Sequence, residues 1–216
     1  MKPKLVLFDL DGTLLNTIAD LSEAVNHALE VRGLPLHSLE ECTKMVGHGV
    51  RNLIAQALPE KLHGDDATVD ATLADFTAYY TANIDVHTRP YAGIQELITT
   101  LHRNGILLAI ASNKFQAGTE YLIGKFFPGI PFVAVLGNRP GFPLKPDPEI
   151  VGEVLRKAGV KKEEAVMVGD SPTDMRTAAN GGITGIAVGW GYRDMRGTEG
   201  LTVVETAEEL QQLLLS

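Results

Sequence analysis

Two patterns of apolar and polar positions alternate along most of this chain, and together they predict an α/β fold. Residues 4–10 form a short, nearly continuous apolar run, which is typical of a strand buried on both faces of a parallel sheet. From residue 94 onward, similar short runs alternate with segments in which apolar residues recur at helical spacing. The predicted strands are 106–111, 132–136, 165–169 and 183–188, and the predicted helices are 94–104, 116–127, 148–158, 174–180 and 207–215. This alternation predicts a parallel sheet with helices on both faces.

The segment 17–88 differs from the rest, because it shows helical spacing and no convincing strand. Apolar residues from 18 to 29 predict a first helix, which Thr17 and Asp20 would begin as a capping box. Ser38 and Glu41 form a second capping-box pattern, and further helices are predicted at 50–58 and 67–82. We therefore expect two domains, which are an α/β core of residues 1–16 and 89–216 and an inserted all-helical domain of residues 17–88.

Composition and charge restrict the class of protein. The chain has 216 residues, of which 44% are hydrophobic and 21% charged, so it can bury a core. Its formal net charge of −8 would repel a nucleic acid or an anionic membrane, and we expect neither as a partner. The single cysteine, Cys42, forms no internal disulfide, and we recognise no signal peptide and no membrane-spanning run. We therefore expect a cytoplasmic protein that is a monomer or a homodimer.

Polar residues follow the ends of the predicted strands, where open parallel sheets collect their reactive groups. Asp9 and Asp11 are two residues apart, so their side chains point the same way on an extended strand, and Gly12 lets the chain turn directly afterwards. The later strand ends and loops carry Ser112, Asn113 and Lys114, then Lys145, and finally Asp170 and Asp174.

Four motifs occur at these strand ends in a fixed order. They are Phe8-Asp9-Leu10-Asp11-Gly12-Thr13-Leu14, Ser112-Asn113, Lys145-Pro146, and Gly169-Asp170 through Asp174. Together they resemble the haloacid dehalogenase-like superfamily and, within it, the phosphoglycolate phosphatase-like branch. The resemblance covers essentially the whole chain, and it implies a Rossmann-like α/β core with a helical cap inserted after the first strand.

The resemblance implies a phosphatase in which Asp9 attacks phosphorus and carries the phosphoryl group as an aspartyl-phosphate. Asp11 would be the general acid and base, while Ser112 and Lys145 would hold the phosphoryl oxygens. Carboxylates that face a phosphate dianion repel it and one another, so a cation is expected among them. The resemblance implies Mg²⁺, and the metal-binding residues that it implies are Asp9, Asp11 through its backbone carbonyl, Asp170 and Asp174.

The resemblance also implies residues that bind the substrate, a small phosphorylated metabolite. They are Gly12, Thr13 and Asn113 in the core and Gly47, His48 and Arg51 in the cap. An arginine suits a carboxylate or a second phosphate, although a surface arginine at a helix start explains Arg51 equally well. Ser171 and Asp174 also match a capping box with Pro172 at the first helical position, and this structural role is compatible with a metal site.

The expected reaction is Mg²⁺-dependent hydrolysis of small phosphomonoesters, with 2-phosphoglycolate as the first candidate. One alternative is a β-phosphoglucomutase-like phosphomutase, which would use the same nucleophile but pass the phosphoryl group to a sugar. A second alternative is a non-catalytic binding protein on the same scaffold, which would show no turnover.

Overall fold

Short apolar runs form the β-strands of the computed structural model, which describes residues 2–216. In chain order the strands are β1 (Leu5–Phe8), β2 (Leu15–Asn16), β3 (Arg89–Pro90), β4 (Leu107–Phe115), β5 (Phe132–Asn138), β6 (Ala165–Gly169), β7 (Thr184–Val188) and β8 (Thr202–Val204). Six of them form one sheet in the order β5-β4-β1-β6-β7-β8, and β2 pairs with β3. All neighbours in the six-stranded sheet are parallel, which confirms the predicted α/β fold class.

Helices surround this sheet and also make up most of the segment between β2 and β3. They are α1 (Ile18–Glu30), α2 (Leu39–Met45), α3 (Val50–Ala57), α4 (Asp66–Asn83), α5 (Ile94–Arg103), α6 (Gln116–Phe126), α7 (Glu149–Ala158), α8 (Pro172–Gly181) and α9 (Ala207–Leu215). Two short 3₁₀ turns lie at Glu60–Leu62 and Lys162–Glu164. Within residues 2–216, no helix has both the length and the apolar character that crossing a bilayer requires.

The chain divides into two structural units. The first, which we call the α/β unit, contains the chain up to Leu15 together with Pro90–Ser216. The second, the helical unit, is Asn16–Arg89. The sequence predicts this insertion as residues 17–88, which is one residue shorter at each end.

The sheet is buried at its centre because β1 is apolar at every position. All four of its side chains are fully buried, and Leu5 is aligned with Leu107 of β4 on one side and Ala165 of β6 on the other. Alternate strand residues pack on one face against α7, whose buried side chains recur at helical spacing. Truncating one of these large side chains, such as Leu5→Ala, would cost about 2–5 kcal/mol of the free energy of unfolding. This core fixes the strand ends that carry the polar residues.

The elements β4, α8 and β8 differ from the sequence-based expectation. β4 continues to Phe115 rather than ending at residue 111, so Ser112, Asn113 and Lys114 lie within the strand. α8 begins at Pro172, two residues before its predicted start. The three-residue strand β8 was not expected, because a run of this length has too little periodicity to separate it from a loop.

The start of α1 also differs, and the capping box expected of Thr17 and Asp20 is wrong. The Thr17 side chain makes no capping hydrogen bond. The Asp20 carboxylate instead accepts hydrogen bonds from the backbone N–H groups of His87 and Thr88, each at 2.8 Å, and from the Thr88 hydroxyl at 2.7 Å. Because these three donors meet a carboxylate that is only 2% exposed, the long-range bonds replace the local one. Asp20 thereby connects the first and last segments of the helical unit.

The second expected capping box does form, at the start of α2. The Ser38 hydroxyl accepts from the Glu41 N–H at 3.2 Å, and the Glu41 carboxylate accepts from the Ser38 N–H at 2.7 Å. Both donors would otherwise lack a partner in the first turn of the helix.

Candidate active site

The ends of neighbouring strands bring three carboxylates together in the α/β unit. Asp9 follows β1, Asp170 follows β6, and Asp174 lies in the first turn of α8. Because β1 and β6 are adjacent and parallel, their carboxyl ends meet at the same edge of the sheet. One carboxylate oxygen from each of the three residues lies within 4.8 Å of the other two.

Lys145 lies between two of these carboxylates. Its Nζ is 2.9 Å from Asp9 Oδ1 and 2.7 Å from Asp174 Oδ1, and the residue is only 4% exposed. Burial opposes the positive charge of this lysine, but the carboxylates of Asp174 and Asp9 outweigh it and raise its pKa above the ordinary value. Lys145 is therefore a permanently charged group at the centre of the cluster.

Two of the carboxylates, those of Asp9 and Asp170, are disfavoured as anions. Burial, assisted by the charges of Asp174 and Asp170, raises the pKa of Asp9 to about 8 despite the opposing effect of Lys145. Burial and the charge of Asp174 likewise raise the pKa of Asp170 to about 7. The same cluster acts on Tyr91, whose pKa is raised by its own burial and by nearby Asp170 and Asp11. Burial and mutual repulsion therefore disfavour full ionisation of Asp9 and Asp170 at this edge of the sheet.

Asp174 combines two structural roles. Its Oδ2 accepts hydrogen bonds from the Ser171 hydroxyl at 2.6 Å and from the Ser171 N–H at 3.1 Å, while Oδ1 pairs with Lys145. The Asp174 N–H donates back to the Ser171 hydroxyl at 3.4 Å, and Pro172 occupies the first helical position. The capping box expected at this helix start is therefore confirmed, and it fixes the direction in which the Asp174 carboxylate points.

Asp11 has a different lysine as its partner. Lys114 Nζ donates to Asp11 Oδ1 at 3.1 Å and lies 3.4 Å from Oδ2, and the Lys114 side chain is only 3% exposed. The sequence places Lys114 at a strand end but gives it no role. The pairing of β4 with β5 is irregular between Ala111 and Phe115, so the alternation of side chains along a regular strand could not have assigned this contact.

Ser112 and Asn113 are buried beside these groups. The Ser112 hydroxyl accepts from the Lys114 N–H at 3.2 Å. The Asn113 side chain holds the main chain of Lys145 by two hydrogen bonds, since its Oδ1 accepts from the Lys145 N–H at 2.8 Å and its amide donates to the Lys145 carbonyl at 3.1 Å. Asn113, expected to bind substrate, therefore fixes the loop that carries Lys145.

Gly12 and Thr13 adjoin Asp170. The Thr13 hydroxyl donates to Asp170 Oδ1 at 3.2 Å, and the Tyr192 N–H donates to Asp170 Oδ2 at 2.7 Å. Trp190 contributes a third bond in this region, from its indole N–H to the Thr13 carbonyl at 3.0 Å. The sequence reasoning missed Trp190 and Tyr192, because one of them acts through a backbone N–H and neither belongs to a charged motif.

The remaining expected substrate contacts lie in the helical unit. Gly47 and His48 precede α3, and Arg51 lies in its first turn. The Arg51 guanidinium is half exposed and pairs with Asp66 at 2.7 Å and Asp70 at 3.0 Å, both on α4. These two carboxylates raise the pKa of Arg51, chiefly through the hydrogen bond that Asp66 accepts from it.

The donor set fits Mg²⁺. Every candidate ligand side chain in the cluster is a carboxylate, and magnesium prefers oxygen ligands and rarely takes nitrogen or sulfur. The raised pKa values of Asp9 and Asp170 point the same way, because a divalent cation would stabilise the ionised carboxylates that burial and mutual repulsion disfavour. The residues that the structure brings together are therefore suited to holding this metal.

Comparison with known proteins shows the family to which the chain belongs. A family model for haloacid dehalogenase-like hydrolases matches residues 6–188, which is most of the chain and includes all four motifs. The chain therefore belongs to the haloacid dehalogenase-like hydrolase family.

Individual relatives place the chain more narrowly within that family. A phosphoglycolate phosphatase of Mesorhizobium japonicum is 38% identical over 90% of this chain and 86% of its own length. Another from Agrobacterium fabrum is 34% identical over 88% of this chain and 82% of its own. A solved protein of Lactobacillus delbrueckii subsp. bulgaricus, which has a provisional phosphoglycolate phosphatase name, is 31% identical and covers 99% of both chains with a TM-score of 0.91. The predicted family, its phosphoglycolate phosphatase-like branch and the fold are confirmed.

Proposed function

We propose that this protein is a Mg²⁺-dependent phosphatase of small phosphomonoesters, with 2-phosphoglycolate as the first candidate substrate. The observation that carries the proposal is the buried cluster of Asp9, Asp170 and Asp174 around Lys145. A cluster of this kind is costly to bury, and its charges are matched to a phosphate ester bound together with a cation. The named activities of the relatives support a phosphomonoesterase.

In the proposed reaction, Asp9 is the nucleophile. A carboxylate oxygen of Asp9 forms a bond to phosphorus as the ester bond on the opposite side breaks, which gives an aspartyl-phosphate. Asp11 donates its proton to the departing alkoxide, so that the product leaves as an alcohol. Asp11 then accepts a proton from the water that attacks the aspartyl-phosphate. This step releases inorganic phosphate and regenerates the free Asp9 carboxylate.

The neighbouring residues support these two steps by position and charge. Lys145, held 2.9 Å from Asp9 Oδ1, orients the nucleophile and offers its remaining N–H groups to the phosphoryl oxygens. The Ser112 hydroxyl and the N–H groups near Gly12 are the proposed donors to the other oxygens. Lys114 sets the direction of the Asp11 carboxylate through its buried ion pair. Asn113 holds the main chain of Lys145 in place.

Mg²⁺ would be held by Asp9, by the backbone carbonyl of Asp11 and by Asp170, with Asp174 bound directly or through water. When bound, the ion supplies positive charge that balances the carboxylates and the phosphoryl oxygens. Gly47, His48 and Arg51 remain the proposed substrate contacts of the helical unit. A substrate carboxylate would bind the half-exposed guanidinium of Arg51 in place of Asp66 or Asp70, with which it pairs in this structure.

The test is release of inorganic phosphate from a panel of phosphomonoesters that includes 2-phosphoglycolate and several sugar phosphates. We expect turnover with Mg²⁺, none with EDTA, and a loss of at least about 10³-fold in kcat for Asp9→Asn, which removes the nucleophile. Asp194→Asn is the matched control, because it makes the same chemical change at a side chain that is 70% exposed.

Three results would count against the proposal in different ways. Sugar phosphate that is isomerised without phosphate release would show a phosphomutase. Metal binding without turnover on any ester of the panel would show a binding protein. Full activity in Asp9→Asn would remove the aspartyl-phosphate from the mechanism.

A further inference from the structure

We infer that Thr13 and the loop Gly189–Tyr192, which follows β7, position Asp170 for metal binding, with Trp190 as a positioning residue. The inference rests on the proposed function, since it assigns a role to residues around one of the proposed ligands. It gives Thr13 a role toward Asp170 rather than toward the substrate. It also brings a fifth strand end of the sheet, that of β7, into the site through a loop without an acidic side chain.

Both oxygens of the Asp170 carboxylate are held by this arrangement. Oδ1 accepts from the Thr13 hydroxyl at 3.2 Å, and Oδ2 accepts from the Tyr192 N–H at 2.7 Å. Asp170 is 2% exposed and Thr13 is fully buried, so both bonds are shielded from competing water. Two donors from different segments fix the plane of a carboxylate, and each oxygen keeps a lone pair for a cation.

Close packing fixes the loop against Asp170 in addition to these bonds. A Cβ atom placed on Gly191 would lie 2.2 Å from Asp170 Cβ and 2.5 Å from the Gly12 carbonyl oxygen, so any larger residue would displace one of them. A Cβ atom placed on Gly12, whose φ is +86°, would lie 2.5 Å from Asp170 Oδ2 and 2.9 Å from a ring carbon of Tyr192. The loop, the turn after β1 and the Asp170 carboxylate are therefore packed as one group.

Trp190 connects the loop to the same turn from a second direction. Its indole N–H donates to the Thr13 carbonyl at 3.0 Å, while the Thr13 hydroxyl donates to Asp170. Two hydrogen bonds thus connect Trp190 to Asp170 through Thr13. Removing the indole N–H should loosen the turn that carries the Thr13 hydroxyl. It removes neither a charged group nor a proposed metal ligand.

The test is Mg²⁺ binding measured by isothermal titration calorimetry, which needs no substrate. We expect the dissociation constant to rise about 10-fold in Thr13→Val, since loss of a partner of a metal ligand typically weakens binding by 10–100-fold. Thr13→Ser keeps the hydroxyl and should restore affinity to within about 2-fold, and Trp190→Phe should weaken binding by about 3-fold or more. Thr72→Val is the matched control, because Thr72 is also a fully buried threonine but its hydroxyl bonds only within α4.

A second readout uses the wild-type protein alone. Trp190 is the only tryptophan of the chain, so its fluorescence reports on the loop directly. We expect Mg²⁺ to change this fluorescence with the same midpoint as the calorimetric titration. Fluorescence that stays constant while calorimetry detects binding would overturn the inference, even if every variant failed to fold.

The outcomes separate this inference from the proposed function. Wild-type protein that neither binds Mg²⁺ nor releases phosphate would refute the proposed function. Wild-type protein that does both, with Thr13→Val and Trp190→Phe binding Mg²⁺ as tightly as wild type, would refute the positioning role alone. Equal weakening in Thr13→Val and Thr13→Ser would also refute it, because the effect would then not depend on the hydroxyl.

Discussion

At the scale of single residues, the two buried lysines of the α/β unit divide the acidic groups between them. Lys145 pairs with Asp9 and Asp174, and Lys114 pairs with Asp11. Both lysines are almost completely removed from water and Asp9 and Asp11 are only 13% and 14% exposed, and desolvating two charges costs several kcal/mol that their attraction only partly offsets. Buried pairs are therefore weak evidence for stability. Their collection at one sheet edge is better explained by the proposed reaction, in which Asp9 and Asp11 have separate roles and each has its own lysine partner.

Replacing Lys114 tests that division. We expect Lys114→Met to lower kcat about 10-fold or more with a smaller change in KM, because the Asp11 carboxylate loses the group that orients it; a tenfold loss corresponds to about 1.4 kcal/mol in the transition state. Lys114→Arg, which keeps the charge, should recover part of the rate. Steady-state kinetics with saturating Mg²⁺ measures kcat and KM of both variants. The control is Lys157→Met, because Lys157 is a half-exposed lysine in an i,i+4 ion pair. A rise in KM with unchanged kcat would instead place Lys114 on the substrate.

At the scale of secondary-structure elements, the first turn of α8 is both a helix start and part of the site. Ser171→Ala removes the hydroxyl that accepts from the Asp174 N–H and donates to Asp174 Oδ2. We expect a loss of about 1 kcal/mol in the free energy of unfolding and, in addition, a higher Mg²⁺ concentration at half-maximal activity. Urea unfolding and a Mg²⁺ titration of the rate measure the two effects.

Thr206→Ala is the matched control for this substitution. Thr206 begins α9, and its side chain accepts from the Glu209 N–H at 3.1 Å, so its loss should cost a similar free energy of unfolding. The Mg²⁺ requirement should not change in this variant. If both variants lose stability but neither changes the Mg²⁺ requirement, the capping box of α8 has no role in holding Asp174 for the metal.

The helical unit offers a second comparison between elements. Asp20→Ala removes a buried carboxylate that accepts three hydrogen bonds from residues 87–88, and we expect it to destabilise the protein by about 3 kcal/mol or more. Asp65→Ala removes an ordinary N-cap of α4 and should cost about 1 kcal/mol. Urea unfolding measures both. Equal losses would mean that the bonds from Asp20 to residues 87–88 add nothing beyond an ordinary cap.

The same elements show how far the sequence predicts this structure. Helices and long apolar strands were predictable because their periodicity extends over many residues, and the charged motifs located Asp9, Asp11, Lys145, Asp170 and Asp174 at strand ends. Asp20 could not be assigned, because a carboxylate three residues after a threonine has the same pattern whether it bonds locally or to residues 87–88. The Tyr192 bond could not be found either, since a backbone N–H has no signature in sequence.

At the scale of the whole molecule, the net charge of −8 has a local component. Three carboxylates are concentrated at one edge of the sheet, where burial and mutual repulsion raise the pKa of Asp9 to about 8 and that of Asp170 to about 7. In the unfolded chain the same carboxyl groups are exposed to water and have the ordinary pKa of 3.8. Between these values, the metal-free folded protein holds protons that the unfolded chain has already lost. The free energy of unfolding contributed by this cluster therefore falls as the pH rises from about 4 to about 8.

Mg²⁺ should reverse that loss, because it takes the place of the protons and favours the ionised carboxylates. We therefore expect the difference in Tm between protein in Mg²⁺ and protein in EDTA to grow as the pH rises from 6 to 8.5. Differential scanning fluorimetry at several pH values measures this difference. The contributions of distant titratable groups to Tm are the same in Mg²⁺ and in EDTA, so they largely cancel. Asp170→Asn, which removes one proposed ligand and the carboxyl group whose pKa is raised there, should reduce both the difference and its dependence on pH. A Tm difference that stays constant from pH 6 to 8.5, or that shrinks, would show that these carboxylates do not bind the metal.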